Sequence, residues 1–300
     1  MARIAAQAAA ASFRRTENRF GLLIVMPAVI AFAAVILYPF LNSLRLSLYR
    51  STLAAPEPVF RGLDNFERLL GDPAFLATWT RTLVFVVCTT GLTFALGLVW
   101  AIVLNQSFRG YKLLRSLSLL PWVLPSTVTA FLWAWLLHGQ VGLLNAVLIE
   151  LGAITEPIVW LSDAIGAMAA VVVAKSWLST ALVMIFFLAA LQSLPMELVE
   201  AARIDGARDG QVIRWIVMPH LRNTAIVVLV LQAMGNLQQI DVIYAMTGGG
   251  PVRATSVLSI EVYRTAFQNW NLGLAAAIGV VWFITISVPA GVYLRRVFRQ

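Results

Sequence analysis

The chain has 300 residues, of which 60% are hydrophobic and 12% charged, about half of the roughly 25% charged share of a soluble domain. Its net charge of +8 is spread over alternate loops, which gives no basic patch for nucleic acid. Cys88 is the single cysteine and His138 and His220 are far apart, so the composition excludes an internal disulfide and offers no thiolate or histidine metal spacing.

Residues 1–19 are alanine-rich and then basic, and read as a cytoplasmic or interfacial segment. Residues 20–300 read as one all-α membrane domain. Six apolar runs, 20–42, 79–104, 113–137, 165–190, 223–244 and 274–294, have about the 20 residues that cross a bilayer. The first run follows Arg14, Arg15 and Arg19 as a signal core would. Its apolar part exceeds the roughly 7–15 residues of such a core, and no small-residue cleavage site follows, so it reads as a retained span.

Between the spans, Pro56, Pro58 and Gly71-Asp72-Pro73 mark residues 43–78 as a loop, with "NFERLL" (65–70) suited to a short interfacial helix. "NQSFRGYK" (105–112) is a tight turn whose Arg109 and Lys112 suit a phospholipid surface. "GLLNAVLIELG" (142–152) has helical apolar spacing and is expected along the opposite interface. "TGGGP" (247–251) reads as a flexible turn ended by a helix-stopping proline. Fourteen lysines and arginines fall on the side of both termini and seven on the other, with Lys175 inside a span. The positive-inside rule therefore places both termini in the cytoplasm.

The segment 191–222 is the longest loop on that side. Ser193 can cap a helix, Pro195 is tolerated in a first turn, and "MELVEAARI" (196–204) is rich in helix formers. Asp205-Gly206 stops that helix, and Asp209 can cap a second short one running to Pro219. Two short helices at an angle make a knob. Ala201 and Ala202 would let another surface approach its backbone, with Glu200, Arg203, Asp205 and Arg208 offering charge pairs. An ordinary solvated loop fits the same residues.

Two spans carry unusual polarity. Span five holds Gln232, Asn236, Gln238, Gln239 and Asp241, and the spacing of Gln232, Asn236 and Gln239 predicts one shared face. Amides that both donate and accept suit sugar hydroxyls, but they serve equally as glue between helices. Lys175 lies about ten residues into span four, where a lysine costs roughly 2.5–3.5 kcal/mol. It needs a local partner, a deprotonated state in a dry site, or a substrate group such as a carboxylate, phosphate or sulfonate. No carboxylate is expected mid-span, Asp241 lying near the outer end of span five. Gly-x-Ser-x-Gly, HExxH and the Walker A loop are all absent from the sequence, so catalysis or nucleotide hydrolysis by this chain is not expected.

"EAARIDGA" (200–207) followed by "MP" (218–219) resembles the EAA loop of ABC importer permeases. Glu200, Ala201, Ala202, Asp205, Gly206, Ala207, Ile216 and Pro219 match that pattern. Ile213 replaces its usual phenylalanine and Met218 its leucine. "YPF" (38–40), "LPWVLPS" (120–126), "GLLN" (142–145), "LQSLPMELVEAARIDGA" (191–207) and "IDVIYAMTGGGP" (240–251) resemble the sugar-permease branch, of maltose and glycerol-3-phosphate type.

The resemblance implies the type I importer permease fold with six transmembrane helices in a bacterial cytoplasmic membrane. It implies a second homologous permease subunit, two ATPase subunits carrying ATP and Mg, and an extracytoplasmic solute-binding protein as partners, with membrane lipid around the spans. No cofactor is implied on this chain. The coupling residues would be Glu200, Ala201, Ala202, Arg203, Asp205, Gly206, Ala207 and Pro219. The sugar pathway would use Trp122, Ser126, Lys175, Leu178, Ser179, Gln232, Asn236 and Gln239. Lys175 departs from these permeases, where the matching position is neutral polar or acidic.

A secondary transporter driven by an ion gradient is the rival reading, and would need a carboxylate buried mid-span. A membrane scaffold is a third, disfavoured by the polar face of span five. The predicted topology is testable by labelling. Cysteines introduced at Gln140 and Gly249 should react with an impermeant reagent from outside, and one at Arg208 should not; the reverse pattern would invert the orientation.

Overall fold

A computed structural model of the chain describes residues 23–52 and 57–297. The segment expected over 1–19, the start of span one and Pro56 lie outside the described residues. The order is α1 Leu23–Leu46, strands β1 Tyr49–Arg50 and β2 Val59–Phe60, α2 Asp64–Leu70, α3 Pro73–Leu104, α4 Tyr111–Ser118, α5 Leu120–Val123 and α6 Ser126–Leu136. Then come α7 Leu143–Glu150, α8 Ala164–Gln192, α9 Met196–Ile204, α10 Asp209–Leu237, α11 Asp241–Thr247, α12 Leu258–Tyr263 and α13 Leu272–Val297. The strands pair antiparallel, Tyr49 opposite Phe60 and Arg50 opposite Val59.

Lipid offers the backbone no hydrogen-bond partner, so only segments that bond internally can cross it. Helices α1, α3, α8 and α10 are each long and apolar enough. A fifth crossing is a broken one, from α4–α5 into α6 with a bend of 99°, and α13 supplies the sixth with an apolar stretch over Leu272–Val288.

Four boundaries differ from those expected. Helix α3 begins at Pro73, six residues before 79, because Asp72 accepts a hydrogen bond from the Ala74 N–H (2.9 Å) and Pro73 has no N–H to orphan. The third run is not one straight helix. Pro125 cannot donate to the helical ladder and forces Leu124 into an extended conformation (ψ 137°). The fifth run ends at Leu237, and Asp241 opens a separate helix after a break over 238–240. The second helix of the knob is not separate from span five either, since α10 is one piece from Asp209 onward. It passes Pro219 through a π-helical turn, Ile213–Val217, in which the Met218 N–H donates to the Ile213 carbonyl. The wider turn relieves the clash of the proline ring with the carbonyl four residues back. Helix α1 does the same over Ala33–Leu37, ahead of Pro39.

Two smaller expectations change as well. Ser193 does not cap α9; it ends α8 and donates to the Ala190 carbonyl (2.8 Å). The TGGGP turn is not loose. Thr247 and Thr255 hydroxyls lie 2.6 Å apart, Thr255 donates to the Gly250 carbonyl (2.8 Å), and Glu261 pairs with Arg253 and Arg264 beside it.

Helix α8 is the axis of the bundle. Of its most apolar 18-residue window 61% is buried, against none for α1, so α8 is enclosed while α1 lies at the periphery. Asp163 starts it, accepting from the Ile165 and Gly166 N–H groups at 3.0 and 2.9 Å. Its main neighbour is α3, which turns a stripe of small and polar residues toward the core: Thr78, Thr82, Thr89, Thr93, Gly97 and Ala101. At Gly97 an added Cβ would stand 2.5 Å from Val183 Cγ1 and 3.1 Å from the Met184 nitrogen, so only glycine allows this approach. Gly97→Ala should therefore destabilise the subunit by about 1–3 kcal/mol. Val183→Ala in that background should recover part of the loss, both read as thermal midpoints in detergent; an unchanged midpoint for Gly97→Ala would refute this close packing.

Candidate functional site

Where the broken span meets α8 and α10 there is a cavity of about 340 Å³. Helix α5 contributes Trp122, and Ser126, the first residue of α6 after the bend at Pro125, lines the same cavity. Helix α8 presents Lys175, Leu178, Ser179, Leu182 and Phe186, one face at helical spacing, and α10 presents Leu231 and Gln232. The walls are mostly apolar, with two hydroxyls, one amide, one indole and one ammonium group. That is the mixture that holds a small polar solute in a fixed pose: flat apolar surface for a ring face and a few donors and acceptors for its edge.

Six of the eight residues expected along a solute path are therefore brought together: Trp122, Ser126, Lys175, Leu178, Ser179 and Gln232. Asn236 and Gln239 do not line this cavity. Asn236 is buried and donates through its amide to Thr90 Oγ1 (3.0 Å), tying α10 to α3. Gln239 lies beyond the end of α10, so it does not share the face of Gln232, and its carbonyl accepts from Ser259 Oγ (2.6 Å). The helical spacing that grouped the three assumed a helix through residue 239. Phe186 and Leu231 also line the cavity without having been expected there. The signal for Phe186 was its spacing of seven residues from Ser179; Leu231, next to Gln232, is in register with Val228 and Gly235 instead.

Asp241, expected near the outer end of span five, opens a helix of its own and has a partner that the sequence did not show. The break at 238–240 swings it against α6, where Asp241 Oδ2 accepts from Ser126 Oγ at 3.0 Å. Asp241 and Lys175 form no ion pair.

The knob is the second candidate. Helix α9 ends in a Schellman turn: the Ala207 N–H donates to the Ala202 carbonyl (2.9 Å) and the Gly206 N–H to the Arg203 carbonyl (3.0 Å). Gly206 takes φ +84°, a conformation that a residue with a Cβ adopts only under strain. Arg208, not Asp209, occupies the cap of α10, and Gln211 Oε1 accepts from the Arg208 N–H (2.8 Å). Asp209 instead pairs with Arg203 at 3.2 Å; both side chains are well exposed, which makes this a weak contact.

Val199, Val212, Val217 and Leu221 are buried and seat the knob on the ends of α3 and α8. Glu200, Ala201, Arg203, Asp205, Gly206 and Pro219 are exposed, whereas Ala202 and Ala207 are half-buried. Ala202 thus packs partly inward, with part of it left at the surface. With Gly206, Ala207 and Trp215 it borders a hollow of about 300 Å³. The sequence reading missed Ile204 (86% exposed) and Trp215 (69%), apolar side chains left in the open on the knob. Such side chains mark a surface that another protein covers.

Residues 93–299 match the family described as "binding-protein-dependent transport system inner membrane component". The trehalose/maltose transport system permease of Thermococcus litoralis is 34% identical, over 93% of this chain and 94% of its own. The sulfoquinovosyl glycerol transport system permease of Agrobacterium fabrum is 32% identical, over 93% and 90% respectively. The sn-glycerol-3-phosphate transport system permease of the same organism is 32% identical, over 88% and 89%. Among solved structures, a bacterial alginate ABC transporter, in complex with its alginate pentasaccharide-bound periplasmic protein, superposes with a TM-score of 0.79. The alignment covers 91% of this chain and 92% of that one at 20% identity, so this likeness is one of fold.

Proposed function

The chain belongs to the family of binding-protein-dependent transport system inner membrane components and is a multi-pass permease subunit of an ATP-driven importer, and on that premise we propose that its solute is a sugar, glycoside or sugar-like molecule. The observation that carries the solute class is the convergence of Trp122, Ser126, Ser179 and Gln232 on one cavity at the broken span. The indole offers a face to a pyranose ring, while the hydroxyls and the amide exchange hydrogen bonds with its substituents. The relatives named above for trehalose/maltose and for glycerol conjugates point to the same class.

The partners in this proposal are a second permease subunit, two ATPase subunits that carry ATP and Mg, and a solute-binding protein on the far side. The knob, Glu200 to Ala207, would dock on an ATPase subunit. The open Ile204 and Trp215 and the charged Glu200, Arg203 and Asp205 supply the apolar centre and polar rim of such a contact. Because α10 runs unbroken from Asp209, just after the knob's turn, to Gln232, movement of the knob reaches the cavity through one short turn and a single helix. Closure of the ATPase pair would thereby switch the cavity between the two sides of the membrane. Family membership favours this over an ion-gradient transporter.

Two experiments test the reading. A tagged subunit should copurify with a separate ATPase, and isolation without one would contradict the importer assembly. Gly206→Val places a β-branched residue at φ +84°, with a local cost of about 1–3 kcal/mol. It should leave the subunit inserted while removing stimulation of ATP hydrolysis by the solute-binding protein. Full stimulation in that variant would sink the docking role of the knob.

A further inference from the structure

We propose that the solute carries a single negative charge, a carboxylate or sulfonate, and that Lys175 is its counterion in the cavity; this rests on the reading of that cavity as the solute site. Lys175 is the one ionisable residue in the cavity wall, so the wall carries a positive charge and no negative one. Among the described residues its ammonium has neither an ion pair nor a hydrogen bond. The neighbouring Ser176 hydroxyl is turned away, donating to the Thr89 carbonyl at 3.4 Å. Asp241, bound to the cavity-lining Ser126 at 3.0 Å, stands beyond ion-pair distance of Lys175.

A lysine in the middle of a span is costly and persists where it has a charge to meet. The helical face that carries it decides what it can meet. Leu178, Ser179 and Leu182 follow Lys175 at three, four and seven residues and all line the same cavity, so the ammonium belongs to the cavity face of α8. A neutral solute would leave that charge with Asp241 alone as its counterpart, outside ion-pair distance and already bound by Ser126, when the cavity closes and water leaves it, where an ion without a close partner is most expensive.

The number and type of cations narrow the anion further. One lysine balances one charge. No arginine lines the cavity to grip a phosphate dianion with its planar fork. Trp122, Ser126, Ser179 and Gln232 remain for the ring and its hydroxyls. The cavity thus has a division of labour that fits an acidic sugar: one aromatic face, three neutral hydrogen-bonding groups and one cation.

The test uses the complete transporter with its solute-binding protein in proteoliposomes and three probes that differ at one carbon: methyl glucoside, methyl glucuronide and the 6-sulfonate analogue of methyl glucoside. The expected result is uptake of at least one acidic probe in preference to the neutral one. Lys175→Gln should then lower uptake of that acidic probe by about tenfold or more, the scale of losing one charge-assisted contact. Lys175→Arg, which keeps the charge, should retain most of it. A structural lysine would instead lower uptake of all three probes together.

Uptake of the neutral probe alone, uptake of none of the three, or an acidic uptake indifferent to Lys175→Gln overturns the proposal. If Lys175→Gln fails to assemble, preference among the probes in the unaltered transporter and the behaviour of Lys175→Arg still decide. Failure of the importer reading is distinguishable, because it appears as loss of copurification with the ATPase rather than as a changed preference among probes.

Discussion

The closeness of α3 to α8 is the constraint from which the rest of the subunit follows. A helix enclosed on most sides needs a neighbour without bulk, and Gly97 against Val183 supplies it. Once the two lie together, Ser176 reaches the Thr89 carbonyl and Asn236 reaches Thr90, which fastens α10 to the same pair. In lipid such polar links are worth about 0.6 kcal/mol each, up to roughly 2, so their value is in register more than in stability. They fix which faces of α8 and α10 remain for the cavity, and so place Lys175 and Gln232 on its wall.

The cavity also needs spans that stop short. A broken helix in a membrane exposes carbonyls and N–H groups that lipid cannot satisfy, so breaks survive only where protein supplies partners. The indole of Trp282 donates to the Leu237 carbonyl at the end of α10 (2.9 Å), and Ser259 donates to the Gln239 carbonyl just beyond it. Across the gap, the first residue of α6 holds the first residue of α11 through Ser126 and Asp241. The two interruptions, at Pro125 and at 238–240, therefore brace each other. Without them the third and fifth spans would be straight rods with no room between them for a solute.

Much of this was legible in the chain itself. The six apolar runs follow from residue type and spacing, whereas the EAA loop and the grouping of Trp122, Ser126, Lys175, Leu178, Ser179 and Gln232 came from the resemblance to sugar permeases. What stayed hidden is instructive. Pro121 and Pro125, four apart, carried the signal for the broken span, but hydropathy averaged over the run concealed it. The stop after Leu237 has no proline, and Gly235 in the last turn is only a weak mark; the broken end is held by Trp282 and Ser259, distant in sequence and brought in by packing. Asn236 looked like a path residue because spacing reports a face and not the neighbour it meets, which is Thr90. That Ala202 is half-buried was hidden because a knob drawn from sequence has no seat, whereas the folded one rests on Val212, Val217 and Leu221.

The π-helical turn at Ile213–Val217 has a geometric consequence. It lies between the knob and the cavity on a single helix, and from Asp209 to Gln232 that helix is roughly 35 Å long at about 1.5 Å per residue. A π turn holds one residue more than an α turn, and each residue of an α-helix advances the azimuth by about 100°. The angular offset between the knob and the wall that carries Gln232 is therefore fixed by a residue count, in the manner of a keyed shaft. Sequence changes that preserve every side chain at both ends but alter that count would turn the knob away from whatever surface it meets, while leaving the cavity lining untouched.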